Sequence, residues 1–417
     1  MLIKNIFMEL RSRLRSCNVY ITTGIDLTKN CNLKISIQAN CIVLNYYEDD
    51  DNMKRRDSLS SIESLSDCYS EDEDDVTTII PIEEFCRIIP NSMSCLKIYR
   101  NTISFRILTE PKNGGNFYKE LLSTNSTIGS TKSTKVNQIQ MNVKADEEFK
   151  ITCANCSNVI SDNLVKFNRI LELPTTNLDM SEWFCHGHSH GDNSHNDIEV
   201  KPNKCDFLYR LTYFDVNNSI LSDKTNKFNS KREVYHCNRC LAWLGLKKKD
   251  MVKLFNSEVK MNQNGSDKHV FSHKNASDNL KTDDFIYTIE CITKEFNLGF
   301  QYTVMCKIVL ECKISANKKQ YLLIWVMDKE LQVLRNTDQI KDDKVKLQST
   351  VVTKILFKVE LSLNDEVEGW LADPGVVSTD ISKNMFNTGL EHLQHMSLKV
   401  PESFRNTNGY CVSYLKI

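Results

Sequence analysis

Two pairs of cysteines in this chain have the spacing of a metal-binding turn. Two residues separate Cys153 from Cys156, and two separate Cys237 from Cys240; we call these turns the first and second knuckle. In such a turn both sulfurs can face one point while backbone N–H groups donate hydrogen bonds to them. Four thiolates complete a tetrahedral zinc site with no open position for a substrate. We therefore predict one structural zinc bound by all four cysteines.

Two other interpretations compete with zinc binding. A redox-active Cys-x-x-Cys is expected where a strand meets a helix in a βαβ unit, and neither knuckle has that setting. With sixteen cysteines in the chain, close spacings also arise by chance, and the knuckles lie farther apart than the roughly 15 to 20 residues usual in zinc ribbons. Zinc remains the favoured interpretation because two identical spacings bracket one compact region.

A further group of potential metal ligands lies between the knuckles. Segment 183–190 reads Trp-Phe-Cys-His-Gly-His-Ser-His, and imidazole and thiolate both bind zinc. Cys185 and His186 directly follow two bulky aromatic residues, so we predict them as additional ligands that replace a knuckle sulfur or hold a second ion. The later histidines lie among Gly, Ser, Asn and Asp, a composition typical of a loop.

Composition places the chain among soluble globular proteins. Its 417 residues are 41% hydrophobic and 26% charged, which is enough for two or three cores. A net charge of −1, without a Lys/Arg run among aromatics, argues against direct nucleic-acid binding. No apolar run reaches the roughly 18 residues of a membrane span, and charges interrupt the N-terminal segment. We therefore predict no membrane association, a location in the cytoplasm, the nucleus or both, and reduced cysteines.

Apolar alternation predicts an α+β fold. A β-rich N-terminal domain precedes a central zinc-knuckle region and a C-terminal antiparallel sheet with one or more helices. We place the N-terminal domain at 1–122, a linker at 123–149, the knuckle region at 150–261, a second linker at 262–284, and the C-terminal α+β domain at 285–417.

Short runs rich in β-branched residues predict the individual strands. In the N-terminal domain they are expected at 7–14, 19–23, 33–37, 41–46, 76–82, 95–100 and 102–108. In the C-terminal domain they are expected as a meander at 285–292, 301–312 and 320–327, and at 410–415. Asp380 is predicted to cap a helix with an apolar face formed by Ile381, Met385, Leu390 and Leu393. For 241–255, helix and strand both remain open.

Segment 48–75 interrupts the N-terminal domain. It contains twelve acidic and three basic residues, a local charge of about −9. The apolar surface there is too small to offset the entropy of ordering the chain. We therefore predict that this segment is a disordered insertion.

Several motifs follow one another in a characteristic order. They are the run 167–174 that ends in Leu-Glu-Leu-Pro, the segment Trp183-Phe184-Cys185-His186, the second knuckle with Trp243-Leu244-Gly245, the run Leu322-Leu323-Ile324-Trp325, and the segment 398–405 followed by 409–415. In order and spacing, this set resembles the HECT-like ubiquitin-conjugating-enzyme-binding family along nearly the whole chain. Residues 1–150 match only in their β-rich character.

The resemblance implies a ubiquitin-protein ligase. Such a protein binds a ubiquitin-conjugating enzyme that carries ubiquitin and promotes transfer of the ubiquitin to a client protein. A second role associated with the family stays open: a non-enzymatic, zinc-stabilised adaptor that holds a partner protein, for instance one of nuclear RNA processing. Accelerated discharge of ubiquitin from the conjugating enzyme would distinguish the ligase from the adaptor.

A HECT-type mechanism would require a nucleophilic cysteine that accepts ubiquitin as a thioester. Cys411 is the positional candidate near the C-terminus, and Cys185 is a second candidate because His186 could act as its base. However, no cation in the run around Cys411 would stabilise a thiolate, and metal binding would remove Cys185 from catalysis. We therefore favour transfer in which the protein positions the conjugating enzyme and the client.

Deletion of residues 48–75 should leave thermal stability nearly unchanged. A disordered insertion adds little to a core, and a shorter loop alters the closure free energy by less than about 1 kcal/mol. Thermal denaturation of the deletion variant beside the full chain measures the effect. A melting temperature lowered by more than about 5 °C would show that the segment packs against the domain.

Overall fold

The computed structural model describes residues 3–27, 32–47, 76–112, 139–173, 202–222, 233–273, 280–296, 305–315, 318–336 and 345–416. This part of the chain is rich in β-strands and contains three α-helices. None of its helices is long and apolar enough to cross a membrane. The acidic segment 48–75 and the predicted ligands Cys185 and His186 lie outside the described residues.

The strands predicted near the N-terminus are confirmed, with ends that differ by a few residues. They are β1 (Ile3–Arg11), β2 (Ser16–Thr23), β3 (Asn32–Ile37), β4 (Cys41–Tyr47), β5 (Val76–Pro81), β7 (Ser94–Tyr99) and β8 (Thr102–Pro111). The short strand β6 (Cys86–Ile88) was not predicted. The next strands are β9 (Ile139–Met141), β10 (Glu148–Cys153), β11 (Val165–Lys166), β12 (Arg169–Glu172), β13 (Asp206–Tyr209) and β14 (Tyr213–Asn217).

The strands continue from Val234 to His273, and the first described α-helix begins at Leu280. The strands are β15 (Val234–His236), β16 (Trp243–Lys248), β17 (Met251–Phe255), β18 (Val259–Gln263), β19 (Ser266–His269) and β20 (Phe271–His273). The C-terminal elements are α1 (Leu280–Phe296), β21 (Cys306–Ser315), β22 (Lys318–Asn336), β23 (Leu347–Glu360), α2 (Asp365–Ala372), β24 (Val376–Asp380), α3 (Lys383–Ser397), β25 (Asn406–Thr407) and β26 (Tyr410–Leu415). The region 241–255 is thus the β16–β17 hairpin.

The chain divides into two compact units, each assembled from segments distant in sequence. The first unit contains Met1–Ser130, Lys329–Thr353 and Leu398–Asn406. The second unit contains Thr131–Asp328, Lys354–Ser397 and Thr407–Ile417.

The first unit is built from antiparallel strands. β2 pairs with β1 on one side and with β8 on the other, and β3, β4 and β5 form a separate three-stranded sheet. Alternate side chains from both sheets, among them Ile6, Val19 and Ile42, form one buried core. One face of each of these strands therefore lies in this core.

Two large buried cores lie in the described part of the second unit. In the first, a four-stranded sheet in the order β11-β10-β18-β19 packs against a six-stranded sheet in the order β12-β13-β14-β17-β16-β15. In the second, α1 and α3 cover one face of the C-terminal sheet. The predicted pairing of β21 with β22 is antiparallel as expected, whereas β24 joins β21 in parallel. We call the core between the four-stranded and six-stranded sheets the knuckle core, and the core under α1 and α3 the C-terminal core.

The prediction of a strand at 285–292 is wrong, because this segment lies inside helix α1. Phe285, Ile289 and Ile292 recur at helical spacing and are all buried in the C-terminal core. A short apolar run is compatible with either structure, and packing decides between them. Here α1 packs against α3 at Gly389, where a Cβ atom would overlap the ring of Phe285.

The predicted cap of α3 is also wrong, although the helix itself is confirmed. Ser382, not Asp380, caps it: the Ser382 hydroxyl accepts a hydrogen bond from the Met385 N–H at 3.0 Å. Asp380 ends β24 instead. Its carboxylate accepts a hydrogen bond from Lys253 Nζ at 2.5 Å, a long-range pairing that no local pattern indicates.

A buried polar junction joins the knuckle core to the C-terminal core. Lys253 of β17 is only 9% exposed, and its Nζ also lies 4.0 Å from the centre of the Tyr213 ring. Asp215 of β14 is buried directly opposite Lys253 in the strand register. The hydroxyl of Thr212 adds a hydrogen bond of 2.9 Å to the carbonyl of Asp380.

Electrostatics distinguish the two carboxylates of this junction. Burial raises the pKa of Asp215 to about 6, against the opposing effect of Lys253. Burial acts on Asp380 in the same direction, but Lys253 outweighs it and lowers the pKa of Asp380. Burial also disfavours the ammonium of Lys253, yet Asp380 and other neighbours raise its pKa above the usual value. Lys253 and Asp380 therefore form an ion pair in the folded protein.

Replacing Lys253 should destabilise the second unit strongly. Lys253→Met leaves the half-buried carboxylate of Asp380 without the ammonium that it pairs with, a change that costs about 3 kcal/mol. Lys294→Met is the matched control, since it removes an exposed pair with Glu290 on α1 and should cost less than about 0.5 kcal/mol. Equilibrium denaturation of both variants measures the difference, and equal losses would contradict the buried ion pair.

Candidate metal centre

The four knuckle cysteines converge on one point in the second unit. Cys153 is the last residue of β10, and Cys237 directly follows β15. The Sγ atoms of Cys153 and Cys240 are 3.7 Å apart, and those of Cys156 and Cys237 are 3.6 Å apart. All four sulfurs lie within 4.8 Å of one another. The structure therefore brings together the set that the spacing predicted.

The two knuckles have the same backbone hydrogen bonds. In the first, the Ser157 N–H donates to the carbonyl of Cys153, and in the second the Leu241 N–H donates to that of Cys237, both at 2.9 Å. The N–H of each leading cysteine donates in turn to the carbonyl five positions later. Cys153 donates to Asn158 at 2.9 Å, and Cys237 donates to Ala242 at 2.8 Å. The knuckles are thus equivalent turns that present their sulfurs in the same way.

The geometry is compatible with tetrahedral zinc. Zinc–sulfur bonds of about 2.3 Å in a tetrahedron place neighbouring sulfurs about 3.8 Å apart, close to the two shortest separations here. A disulfide requires about 2.05 Å, so the observed distances fit ligands of a shared ion and not a pair of disulfides. Cys153 and Cys237 are fully buried, whereas Cys156 and Cys240 are half-buried.

The surroundings of the cluster favour the thiolate form of one sulfur, that of Cys240, whereas burial raises the pKa of Cys153 and of Cys156. Burial acts to raise the pKa of the Cys240 thiol, but the Ala242 N–H, the Asn155 side chain and neighbouring thiols outweigh it and lower the pKa to about 6. Burial raises the pKa of Cys153 to about 12. A cluster in which one sulfur is readily ionised suits a divalent cation, because zinc binds thiolates.

Other side chains support the cluster without belonging to it. Asn158 Nδ2 lies 3.9 Å from the sulfur of Cys237, and the guanidinium of Arg239 donates to the Cys156 carbonyl at 3.5 Å. His236 precedes the second knuckle, but its Nδ1 lies 3.2 Å from the carbonyl of Leu241. No motif in the sequence indicates these three residues; the available signal is that each lies within two positions of a knuckle cysteine.

The remaining predicted site residues are not part of this cluster. Cys185 and His186 lie outside the described residues. Cys411 lies on β26, is half-buried and packs against the C-terminal core. Among the described cysteines, Cys95 and Cys205 are the exposed ones. Cys411 thus belongs to the C-terminal core and not to the four-cysteine cluster.

Comparison with known protein families identifies the chain. The family described as HECT-like ubiquitin-conjugating enzyme (E2)-binding matches residues 9–412. The chain belongs to this family, as its ordered motifs predicted, and both knuckles and Cys411 lie within the match. No curated protein and no solved structure gives a significant match to the sequence.

Loss of one knuckle cysteine should lower metal content and stability together. We expect Cys237→Ser to lose zinc and to destabilise the knuckle core by several kcal/mol, because metal binding contributes on the order of 10 kcal/mol in small zinc modules. Elemental analysis and thermal denaturation measure the two effects. Cys205→Ser, an exposed cysteine outside the cluster, is the control and should retain the metal. Wild-type protein that contains no zinc would contradict the prediction.

Proposed function

We propose that this protein is a ubiquitin ligase that binds a ubiquitin-conjugating enzyme and promotes transfer of ubiquitin to a client protein. The family match over residues 9–412 is the observation that carries the proposal. Zinc on Cys153, Cys156, Cys237 and Cys240 would be structural. With four sulfur ligands it would have no open position for a reacting group.

The described thiols of the C-terminal region favour a mechanism without a covalent intermediate. An acyl-accepting cysteine must be exposed and readily ionised. Cys411 instead packs against the C-terminal core, and the next inward residue, Ser413, donates to the Leu393 carbonyl at 2.8 Å under α3. Burial raises the pKa of Cys291 to about 11 and that of Cys312 to about 12. These side chains suit packing more than nucleophilic attack.

In the proposed reaction the lysine amine of the client attacks the thioester carbonyl on the conjugating enzyme. The carbon–sulfur bond breaks, the thiolate stays on the conjugating enzyme, and the amine loses a proton as the isopeptide bond forms. The ligase makes no bond to ubiquitin. Its contribution is to hold the lysine near the thioester, which raises the effective concentration of the attacking group.

A zinc-stabilised adaptor is the competing function. It would bind its partner through the same fold and would leave the thioester untouched. The packing of Cys411 against the C-terminal core is equally compatible with an adaptor and with a ligase that forms no covalent intermediate. The rate of ubiquitin discharge separates the two, because only a ligase alters that rate.

Cys411→Ser should retain at least about half of the wild-type discharge rate, because Cys411 packs against the core and makes no bond to ubiquitin in the proposed reaction. The measurement is single-turnover discharge of a ubiquitin-loaded conjugating enzyme onto lysine, with and without the full chain. Cys237→Ser should be inactive because the knuckle core unfolds.

Two results would contradict the proposal in different ways. A reductant-sensitive ubiquitin adduct on Cys411, seen on a non-reducing gel and mapped by mass spectrometry, would establish the covalent mechanism. Binding of the conjugating enzyme without any change in its discharge rate would establish the adaptor.

A further inference from the structure

Strand β7 (Ser94–Tyr99) is an edge strand of the first unit. In the described part of the chain it pairs with β8 alone, so its other side carries main-chain N–H and C=O groups without a strand partner. All six of its side chains are exposed. Three of them are large and apolar, with exposed fractions of 46% for Leu96, 47% for Ile98 and 59% for Tyr99. A further strand can be added at such an edge.

The register with β8 shows what each face of β7 presents. Ile98 lies opposite Ile103, which is buried in the core of the first unit. Lys97 lies opposite Ser104, and its side chain points to the other face because successive side chains of a strand alternate. A strand added beside β7 would therefore place one set of side chains next to Ile98, where an apolar group extends the core, and the alternate set next to Lys97.

A cleft of about 950 Å³ adjoins the face of β7 that carries Lys97. Lys97 and Tyr99 line one wall and part of the segment 402–406 lines another, and all of these residues belong to the first unit. The second wall is held in place, because the Phe404 ring packs against Tyr20 with ring centres 4.5 Å apart. The volume is typical of a ligand-binding cleft, so it leaves room for the side chains of an added strand.

The hairpin that presents β7 is fixed at its tip. The Leu27 N–H donates to the carbonyl of Arg100 at 2.8 Å, and the Thr23 N–H donates to that of Asn101 at 2.7 Å. The guanidinium carbon of Arg100 lies 5.7 Å from the centre of the Tyr99 ring. A partner strand would therefore bind an edge that is already ordered, which keeps the entropic cost of binding low.

Lys97 determines which charge a partner strand must carry. It is exposed and forms no ion pair with another described residue. An edge lysine disfavours the addition of a strand that cannot neutralise it. Opposite charges directly across two strands stabilise the pairing, whereas like charges destabilise it. Lys97 thus favours a segment with an acidic side chain at the position opposite it.

The remaining charges of the cleft argue against a nucleic acid as the occupant. Asp26 and Glu402 line the cleft together with Lys97 and Arg100, so its two cations are balanced by two carboxylates. A polyanion needs an excess of positive charge along its path. A protein strand needs only free main-chain groups and one matched charge, and β7 provides both.

We propose that β7 binds an extended segment of the client protein as an additional strand, with an acidic side chain opposite Lys97 and an apolar side chain beside Ile98. Main-chain hydrogen bonds supply the affinity, and the alternating side chains supply the selectivity. The segment is flexible before binding, because strand addition requires main-chain groups that are not already paired. The identity of the partner as the client rests on the proposed function, which this inference makes more specific.

Short peptides test the site without knowledge of the client. The probe is a fluorescent peptide of alternating valine and glutamate, titrated with the full chain and followed by anisotropy. We expect saturable binding below about 1 mM. Methylation of the alternate main-chain nitrogens that face β7 should lower the affinity about tenfold or more, because it removes the donors of the ladder. Both alternate sets are methylated in separate peptides, so that one of them blocks the bound edge.

Lys97→Glu distinguishes strand pairing from general adhesion. It should lower the affinity for the valine–glutamate peptide about fivefold or more and raise that for a valine–lysine peptide by a similar factor, because the cross-strand charge pair is reversed. Lys34→Glu makes the same change at an exposed position of β3 in the same unit and should alter neither affinity by more than about twofold. Ile98→Thr removes apolar surface from β7 and should weaken binding of both peptides, which repeats the test if Lys97→Glu does not fold.

The outcomes separate this inference from the proposed function. Absence of peptide binding, binding that neither methylated set weakens, or an unchanged charge preference in Lys97→Glu would each overturn the strand-addition site. Dimers of the chain that the peptide dissociates would show that a second copy occupies β7, and would also overturn the inference. Discharge of the conjugating enzyme onto free lysine needs no client. A chain that binds the peptide but leaves discharge unchanged would therefore contradict the ligase while the strand-addition site stands.

Discussion

The convergence of four sulfurs is the constraint on which the second unit depends. Cys153 and Cys240 are 87 residues apart in the sequence, yet their sulfurs are 3.7 Å apart. Cys153 belongs to the four-stranded sheet, and the second knuckle connects β15 to β16 in the six-stranded sheet. One ion at this point would hold both sheets to the knuckle core, and its binding free energy would offset the entropy of closing so long a loop.

Strand β17 links this constraint to the C-terminal core. It pairs with β16, which begins three residues after Cys240, and it contributes Lys253 to the ion pair with Asp380. Disorder at the second knuckle would therefore disturb the strand that positions Lys253. A buried charge tolerates little displacement from its partner, because separation leaves both groups desolvated and unpaired. The polar junction thus makes the order of the C-terminal core sensitive to the order of the knuckles.

Sequence reasoning succeeded where the signal is local and failed where packing decides. Cysteine spacing predicted the cluster, and alternation predicted strands such as β4 and β26, because both patterns are set by neighbouring residues. Helix α1 was misassigned because its apolar residues fit two periods. The Lys253–Asp380 pair was not predictable, since its partners are 127 residues apart. Alternation could not orient Cys411 either, because side chains on both faces of β26 are buried.

The position of Cys411 in the C-terminal core bears on the mechanism proposed above. A ligase that forms no bond to ubiquitin has only geometry to contribute, and geometry acts through groups that stay in place. The cysteines of the C-terminal core, Cys306, Cys312 and Cys411, pack against apolar neighbours, so they contribute to a rigid core more than to nucleophilic chemistry. The two knuckles are fixed in the same sense, because each turn is closed by a backbone hydrogen bond of 2.9 Å to the carbonyl of its leading cysteine. A ligase of this kind would therefore position its partners on elements that the four-cysteine cluster holds in place.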